Sequence, residues 1–342
     1  MPKTILVTGG AGFIGSNFVH HLYDRHPEYR IRVLDALTYA GDVANLPPRG
    51  QEEGRIEFVY GDVRNGELVN ALVAEAEVIV HFAAESHVTR SIYDNRLFFE
   101  TDVLGTQTVA SAVTRHADRI DRLIHISTSE VYGSAAGETM DEQHPLDPRS
   151  PYAAAKCGAD RLVYSYWATY GIPAVIVRPF NNFGPRQHLE KLVPRFITSC
   201  LLGEPLTIHG DGEAARDFIF VEDHCEALMS LIAAPRDKVV GEVFNVGTGV
   251  HRSINEIAQK VCAVMGVDPG EARIGDRPGQ VFRHTCNGTK LEQLTGFRPR
   301  TSFEEGLART AAWYRANESW WRAQMWMRHI PIVLPSGKKE LH

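Results

Sequence analysis

The sequence has few cysteines, no long apolar run and no concentrated positive charge, and each absence excludes a class of protein. Its five cysteines are an odd number with no C-x-x-C pair, so neither a disulfide framework nor a zinc site is expected. No apolar run approaches the ~20 residues of a membrane span. The N-terminus shows no signal-peptide core. We therefore expect a cytoplasmic protein with reduced thiols, no bound metal and no membrane partner.

The charge is mixed and mildly acidic. Lys and Arg number 36 against 42 Asp and Glu, giving a formal net charge of −6. No block of basic residues marks a nucleic-acid surface, so no nucleic-acid partner is expected. The ordinary apolar content of 44% indicates a folded globular protein. A chain of 342 residues is typical of two lobes.

The first half of the chain alternates short β-rich runs with longer helical patterns. This alternation predicts an α/β fold, a Rossmann-type doubly wound parallel sheet with helices on both faces. The predicted strands contain Ile5–Val7, Val33–Leu34, Phe58–Val59, Val78–Phe82, Leu123–Ile126 and Ala174–Val177. The predicted helices here are Phe13–Asp24, Phe98–Val113 and Ala153–Tyr170.

The pattern becomes irregular after about residue 180. We predict a dinucleotide-binding Rossmann domain over residues 1–180, with segments that return to it near 215–250, and a smaller mixed substrate-binding lobe over 181–342. The strand-like run Val243–Val246 is expected to rejoin the sheet. Further helices are predicted at Val193–Leu202, Glu222–Ile232 and Ile254–Met265.

A glycine-rich turn follows the first predicted strand and opens a helix. Gly9, Gly12 and Gly15 have the spacing G-x-x-G-x-x-G, and Phe13 and Ile14 begin the helix. The first two glycines let backbone N–H groups approach a pyrophosphate, and the third lets helix and strand pack closely. In this strand–turn–helix context the motif predicts a dinucleotide site.

Residues after the next strands refine the cofactor prediction. Asp35 ends the second strand, where a carboxylate accepts hydrogen bonds from ribose hydroxyls and repels a 2′-phosphate, so NAD is favoured over NADP. Asp62 and Val63 follow the third strand and are expected to meet the adenine. Small residues after the fourth strand let the backbone pass close to the cofactor, in the segment Phe82, Ala83 and Ala84.

Tyr152 and Lys156 form a Tyr-x-x-x-Lys pair on one face of a predicted helix. The ammonium group is expected to stabilise the phenolate and lower the Tyr pKa, as is the positive nicotinamide ring of NAD⁺. Tyr152 would then act as a base toward a substrate hydroxyl. The same pair also occurs on ordinary exposed helices, and the upstream glycine motif favours the catalytic interpretation.

The polar run Ser127–Glu130 follows the fifth strand, at the predicted functional edge of the sheet. Thr128 is placed to hydrogen-bond a substrate hydroxyl, and Glu130 to remove an acidified proton. Ser129 lies between them. A helix N-cap is the alternative for such a run, but its position after a strand favours a catalytic role.

With these residues, the chain resembles the extended short-chain dehydrogenase/reductase family, and most closely its NAD-dependent nucleotide-sugar 4,6-dehydratases. The segments that carry the resemblance are Asp35–Gly41, Ala83–Val88, Asn181–Pro185, Glu190–Pro194, Arg216–Phe218, Val221–His224 and Asp276–Gly279. The resemblance implies a nucleotide-diphosphate sugar substrate contacted by Ser86, Asn181, Asn182, Lys191, Leu192, Arg216 and Arg277. It also implies a homodimer formed through the helices near Phe98–Val113 and Ala153–Tyr170.

The resemblance implies oxidation at C4, removal of the C5 proton by Glu130, loss of water from C6 and a 4-keto-6-deoxy product. Two positions depart from the dTDP-glucose 4,6-dehydratase pattern, because Ser129 and Thr89 stand where that pattern has Asp. The Thr-Ser-Glu run also resembles GDP-mannose 4,6-dehydratases and UDP-glucuronate decarboxylases. A decarboxylase, a 4-epimerase or a non-catalytic NAD-binding protein are the alternatives.

Overall fold

A parallel sheet of seven strands forms the centre of the computed structural model, which describes residues 3–275, 279, 281–328, 331–333, 337 and 339–341. Its strand order is β10-β6-β5-β4-β1-β2-β3, and every neighbouring pair is parallel. The strands are β1 (Lys3–Thr8), β2 (Tyr29–Asp35), β3 (Ile56–Tyr60), β4 (Val78–His81), β5 (Arg122–Ile126), β6 (Ala174–Pro179), β7 (Asn181–Phe183), β8 (Leu206–His209), β9 (Ala215–Phe220), β10 (Val243–Val246), β11 (His251–Ser253), β12 (Glu271–Ile274), β13 (Pro331–Val333) and β14 (Lys339–Leu341).

Helices cover both faces of this sheet, as the alternation of the sequence predicts. They are α1 (Phe13–Arg25), α2 (Pro48–Glu52), α3 (Gly66–Val73), α4 (Val88–Tyr93), α5 (Arg96–Phe98), α6 (Thr106–Arg115), α7 (Pro151–Tyr170), α8 (Leu192–Leu202), α9 (Val221–Ala233), α10 (Arg236–Val239), α11 (Ile254–Met265), α12 (Thr289–Thr295), α13 (Phe303–Ala316) and α14 (Glu318–Arg322). None of the helices among the described residues is long and apolar enough to cross a membrane.

The predicted helices lie where the sequence places them, but one of them is not a continuous α-helix. The stretch predicted as one helix over Phe98–Val113 begins as α5, widens into a π-helical segment at Phe99–Gly105 and continues as α6. The wide turn brings Asp102, which is buried, toward the sheet. π-helical turns of this kind are frequent at functional sites. The fourth strand also ends at His81, one residue before the predicted end.

The sheet order creates a crevice between β1 and β4. The chain runs outward from β1 through β2 to β3, then returns across β1 to β4 and continues in the other direction. The loops after β1 and β4 therefore diverge at the carboxyl edge of the sheet, where doubly wound folds bind ligands. Apolar clusters on the two faces hold the sheet rigid beneath these loops, with Val7 and Val80 in one and Leu6 and Ile79 in the other.

Later segments build a third apolar cluster beside the sheet. It joins α8, α11 and α13 around Phe183, Phe196 and Phe220, all fully or almost fully buried. Two small sheets border it, β11-β9-β7 and β12-β8. The predicted return of Val243–Val246 to the main sheet is confirmed, since β10 pairs with β6 at its edge.

Candidate active site

A cavity of about 490 Å³ opens at the carboxyl edge of the sheet. It is lined by residues from the glycine turn, from the ends of β2 to β6, from α7 and from the start of α8. Every predicted site residue that the structure describes lines it: Gly9, Gly12, Phe13, Ile14, Gly15, Asp35, Asp62, Val63, Phe82, Ala83, Ala84, Ser86, Thr128, Ser129, Glu130, Tyr152, Lys156, Asn181, Asn182, Lys191, Leu192 and Arg216. Arg277, the remaining predicted residue, lies outside the described residues.

The glycine turn has the close contacts that its sequence requires. Gly9 has a φ of 69°, and a Cβ there would lie 2.6 Å from the backbone nitrogen of Ala83. A Cβ on Gly15 would lie 2.2 Å from the Gly9 carbonyl oxygen. Only glycine fits either position, because the turn packs against β4 on one side and against α1 on the other. The N-terminus of α1 faces the cavity, so the turn can accept a pyrophosphate.

Asp35 lies at the end of β2 with its side chain 9% exposed. Its two oxygens accept backbone N–H groups of Ala11 and Leu37, at 2.9 and 2.8 Å. Burial raises the pKa of this carboxyl, and those backbone hydrogen bonds act in the opposite direction. Each oxygen keeps lone pairs for a further donor, so Asp35 can hold a ribose while fixing the glycine turn.

Asp62, expected near the adenine, is part of an ion pair that the sequence did not indicate. Arg64 donates to both of its oxygens, with Nη2 2.6 Å from Oδ2, and also contacts Glu100 at 3.0 Å. These Arg64 hydrogen bonds lower the pKa of Asp62. Asp62 therefore carries negative charge, and the guanidinium plane beside it also lines the cavity.

Tyr152 and Lys156 lie one turn apart on α7 and face the cavity together. The Lys156 ammonium donates to the carbonyl oxygen of Ile126, at 2.7 Å, at the end of β5. Loss of solvation raises the pKa of Tyr152, as does the nearby charge of Asp102, while a hydrogen bond with Thr128 lowers it. The protein's own groups thus raise the Tyr152 pKa, chiefly through burial. The expected lowering by bound NAD⁺ stays a prediction.

Asp102 is a site residue that sequence reasoning missed. It is fully buried in the π-helical segment and accepts the backbone N–H of Glu85 at 2.7 Å. Burial raises the pKa of Asp102, and the charge of Lys156 opposes this shift. Burial likewise lowers the pKa of Lys156, which Asp102 raises. Asp102 and Lys156 thus each oppose the effect of burial on the other's pKa. The sequence pattern around Asp102 had not marked it as part of this group.

The polar run after β5 forms a single 3-10 turn, Ser129–Tyr132. Thr128 caps this turn, since its hydroxyl accepts the backbone N–H of Glu130 at 3.2 Å. The helix-cap alternative and the catalytic prediction are therefore compatible, because the cap also directs Thr128 and Glu130 into the cavity. Glu130 Oε1 lies 3.9 Å from Nε of Arg216, and its side chain is 16% exposed. A carboxylate so placed can act as a base.

The opposite wall begins at the N-terminus of α8. Lys191 precedes this helix and donates to the Ser86 carbonyl oxygen at 2.7 Å, and Leu192 is its first residue. A helix N-terminus beside a lysine attracts anions. Asn182 is different, because its amide bonds the Phe180 carbonyl oxygen and the His224 imidazole, at 3.0 and 2.9 Å. Its side chain is thus committed to the protein.

Several polar side chains near this wall were not among the site residues predicted from the sequence. Tyr39 donates to Glu190 at 2.8 Å, and the Arg90 guanidinium lies 4.0 Å from the centre of the Tyr39 ring. His87 Nε2 lies 3.5 Å from the same Glu190. Glu85 Oε2 is buried without a hydrogen-bond partner among the described residues. The segments that carry the family resemblance contain these residues, Tyr39, Glu85, His87 and Glu190. Their position in those segments is the feature of the sequence that could have identified them.

Residues 6–310 match the model of the family described as GDP-mannose 4,6 dehydratase. The chain belongs to this dehydratase family. It is 46% identical over 315 residues to the low-salt glycan biosynthesis protein Agl12 of Haloferax volcanii, covering 92% of the chain and 99% of that protein. It is 42% identical over 322 residues to a dTDP-glucose 4,6-dehydratase of Streptomyces niveus, with 93% and 94% covered.

Solved structures give the same assignment and confirm the resemblance to the extended short-chain dehydrogenases. The dTDP-glucose 4,6-dehydratase DesIV of Streptomyces venezuelae, crystallised with NAD and TYD, superimposes with a TM-score of 0.89 at 41% identity, covering 94% of this chain and 100% of that one. The UDP-glucose 4-epimerase of Thermotoga maritima, with UDP-glucose, gives 0.85 at 28% identity, covering 92% and 100%. The dehydratase family therefore shares its fold with epimerases. The fold alone does not separate the two activities, so the residues of the site must.

Proposed function

We propose that this protein is an NAD-dependent nucleotide-hexose 4,6-dehydratase that makes a 4-keto-6-deoxy sugar on a dTDP or UDP carrier. The observation that carries the proposal is the convergence of Thr128, Glu130 and Tyr152 on the same cavity as the glycine turn. A tyrosine can exchange the O4 proton, and a separate carboxylate can work on the neighbouring C5. The related enzymes named as dTDP-glucose 4,6-dehydratases support the same reaction.

The residues present fit NAD. The glycine turn would hold the pyrophosphate at the α1 N-terminus, and Asp35 the adenosine ribose. A Cβ on Gly9 would collide with Ala83, so the backbone itself forms the wall that a dinucleotide approaches. When bound there, NAD⁺ would supply the acceptor for a hydride, and its ring charge would lower the Tyr152 pKa.

Tyr152 takes the O4 proton as C4 is oxidised. Thr128 lines the same cavity as Tyr152 and can orient the same hydroxyl. Lys156 contributes its positive charge from 4 positions along the helix while its ammonium stays on the Ile126 carbonyl oxygen, at 2.7 Å. These groups are fixed by α7 and β5, which reduces the reorganisation needed during the reaction.

Glu130 acts after C4 has become a ketone. The ketone acidifies the C5 proton, Glu130 removes it, and water leaves from C6. The 3-10 turn after β5 fixes Glu130, and the Arg216 guanidinium lies 3.9 Å away. Glu130 returns the proton to C5 once C6 has been reduced. A 4-epimerase has no need of this second base.

The nucleotide diphosphate is proposed to lie against the α8 N-terminus. Lys191 and the N-terminus of α8 supply positive potential there. Arg216 extends this charge toward Glu130 and so toward the sugar. We propose that residues 181–342 form mainly this substrate lobe, interleaved with the cofactor domain 1–180, and that Arg277 and Asn181 add contacts.

Incubation of the protein with a panel of nucleotide sugars, followed by mass spectrometry, tests the proposed function. We expect a dTDP- or UDP-hexose to lose the mass of one water. Loss of carbon dioxide from a UDP-glucuronate would instead indicate a decarboxylase, and altered chromatographic retention at constant mass a 4-epimerase. No turnover of any sugar, with NAD retained, would favour a non-catalytic role.

We also propose a homodimer formed through the helices at residues 98–113 and 151–170. Phe99, Leu104 and Tyr164 on these helices expose 42, 57 and 40% of their surface, which a second copy would cover. Light scattering of the Leu104→Glu variant should show monomers. Val267→Glu is the matched control, since Val267 is 44% exposed and outside both helices. A dimeric Leu104→Glu protein would place the interface elsewhere.

A further inference from the structure

Ser129 is adjacent to a buried imidazole that no sequence motif pointed to. Ser129 lines the cavity, and its Oγ lies 3.3 Å from Nδ1 of His284. Both residues are buried, at 2% and 0% exposure. His284 itself does not line the cavity, so its contact with the reaction space runs through the Ser129 hydroxyl.

The hydrogen bonds of His284 fix which nitrogen faces Ser129. Nε2 lies 2.6 Å from the Gly133 carbonyl oxygen, which can only accept, so Nε2 carries a hydrogen. Nδ1 is therefore the nitrogen that gains and loses a proton. The neutral ring accepts a hydrogen bond from Ser129, and the protonated ring donates one to it. The backbone N–H of His284 also donates to the Ala215 carbonyl oxygen, at 3.1 Å, which holds the residue in place.

We propose that His284 is a positioning residue that supplies, through Ser129, the proton that leaves with the C6 oxygen. This inference rests on the proposed 4,6-dehydratase function. A serine hydroxyl alone is a weak proton donor, because its alkoxide is far too basic to form at neutral pH. A protonated imidazole behind it removes this difficulty, since the hydroxyl gives one proton and receives another in the same step.

The step balances in atoms and charge. The C6–O bond breaks, its electron pair leaves with the oxygen, and that oxygen takes the Ser129 proton to become water. Nδ1 of His284 returns a proton to Ser129, and the ring becomes neutral. Tyr152 gains one proton from O4, and His284 loses one proton to the departing oxygen. When Tyr152 releases its proton to solvent and His284 takes one up, both groups return to their starting protonation states.

The charges around His284 predict how this step responds to pH. Burial lowers the pKa of His284 below 6.5. Glu130 and the Gly133 carbonyl raise it, whereas Arg216 and His144 lower it. The protonated ring therefore becomes scarcer as the pH rises through this range, and elimination should slow by up to about tenfold per pH unit. Removal of the C5 proton does not require this proton.

The test compares two rates in the same incubation in deuterated water. One is dehydration, and the other is solvent deuterium entering C5 of recovered substrate. Both depend on Tyr152 and Glu130, so their ratio isolates the elimination step. We expect His284→Gln, which keeps a donor for Gly133, and His284→Asn to lower the ratio at least about tenfold and to flatten its pH dependence. KM and melting temperature should change little.

A second substitution separates proton supply from a structural role. Ser129→Asp places an acid directly at the cavity, so adding His284→Gln to it should change the ratio less than about twofold. His251→Gln is the matched control, because His251 pairs with Thr285 at 2.9 Å and does not line the cavity.

An unchanged ratio and pH dependence in His284→Gln would overturn the inference, as would a His284→Gln defect that persists in the Ser129→Asp background. A wild-type protein that exchanges C5 or oxidises C4 without dehydrating any sugar would instead overturn the proposed function.

Discussion

Arg178 donates two hydrogen bonds to Asp160, at 2.8 and 2.9 Å, and both side chains are buried. Asp160 lies on α7 and Arg178 on β6, so this pair fixes the helix against the sheet. Tyr152 and Lys156 lie on the same helix, two turns and one turn before Asp160. The catalytic geometry at the cavity thus depends on an ion pair outside it.

We expect Asp160→Asn to destabilise the protein by roughly 3–5 kcal/mol, because it leaves a buried guanidinium without its counter-charge. Urea unfolding at neutral pH measures this difference. Asp118→Asn is the control, since Asp118 is exposed and should shift stability by less than about 0.5 kcal/mol.

The destabilisation caused by Asp160→Asn should also depend on pH. Burial raises the Asp160 pKa, but the surrounding charges and hydrogen bonds, chiefly those of Arg178 and Arg161, together outweigh it and lower the pKa to about 2, from 3.8. The stabilisation is therefore present above 3.8 and lost as the pH falls toward 2. The difference between wild type and Asp160→Asn should shrink across that interval. Equal stability of the two proteins at pH 7 would contradict the structural role of the pair.

Tyr152→Phe should lower kcat by about 10²–10⁴-fold while the protein stays folded, because the ring still packs edge-on against Phe98 and only the proton acceptor is lost. Steady-state turnover measures the loss of activity, and circular dichroism measures whether the protein stays folded. Tyr164→Phe is the matched control on the same helix, where the side chain is 40% exposed. Near-normal turnover of Tyr152→Phe would refute the proposed base.

Glu130→Gln should stop the reaction after C4 oxidation, since the amide keeps the shape and cannot take the C5 proton. Quenched incubations should contain oxidised sugar without dehydrated product, and no solvent deuterium at C5. In the wild type, deuterium placed at C4 should appear at C6. Label returning to C4 at unchanged mass would indicate an epimerase. The exposed Glu138→Gln serves as control.

Asp35→Asn should reduce discrimination against NADP by about tenfold, equivalent to about 1.4 kcal/mol. The amide oxygen can still accept one of the two backbone N–H groups of Ala11 and Leu37, and the other N–H loses its acceptor. The charge that repels a 2′-phosphate is lost. Titration of the protein with NAD and with NADP measures the ratio of the two dissociation constants. Wild-type protein that binds NAD and NADP equally would contradict the role given to Asp35.

Local patterns were sufficient for much of this molecule. Apolar runs and glycines specify β1, the turn and α1, because strand alternation and φ values above zero are properties of a few neighbouring residues. The Tyr152–Lys156 pair was recognisable for the same reason, since four residues along a helix share one face. Asp35 could be placed because it ends a strand whose neighbour carries the glycine turn.

The sequence by itself determined the fold class, the cofactor turn and the residue types at the cavity. Only the tertiary structure decided how their charges are set. Asp102 reaches Glu85 through a π-helical turn, and His284 reaches Ser129 across 155 positions of the chain. Such contacts join segments whose local patterns are independent, so no periodicity records them. The surroundings of Tyr152 show the same dependence, since its pKa is raised by burial and by Asp102, which the fold brings together.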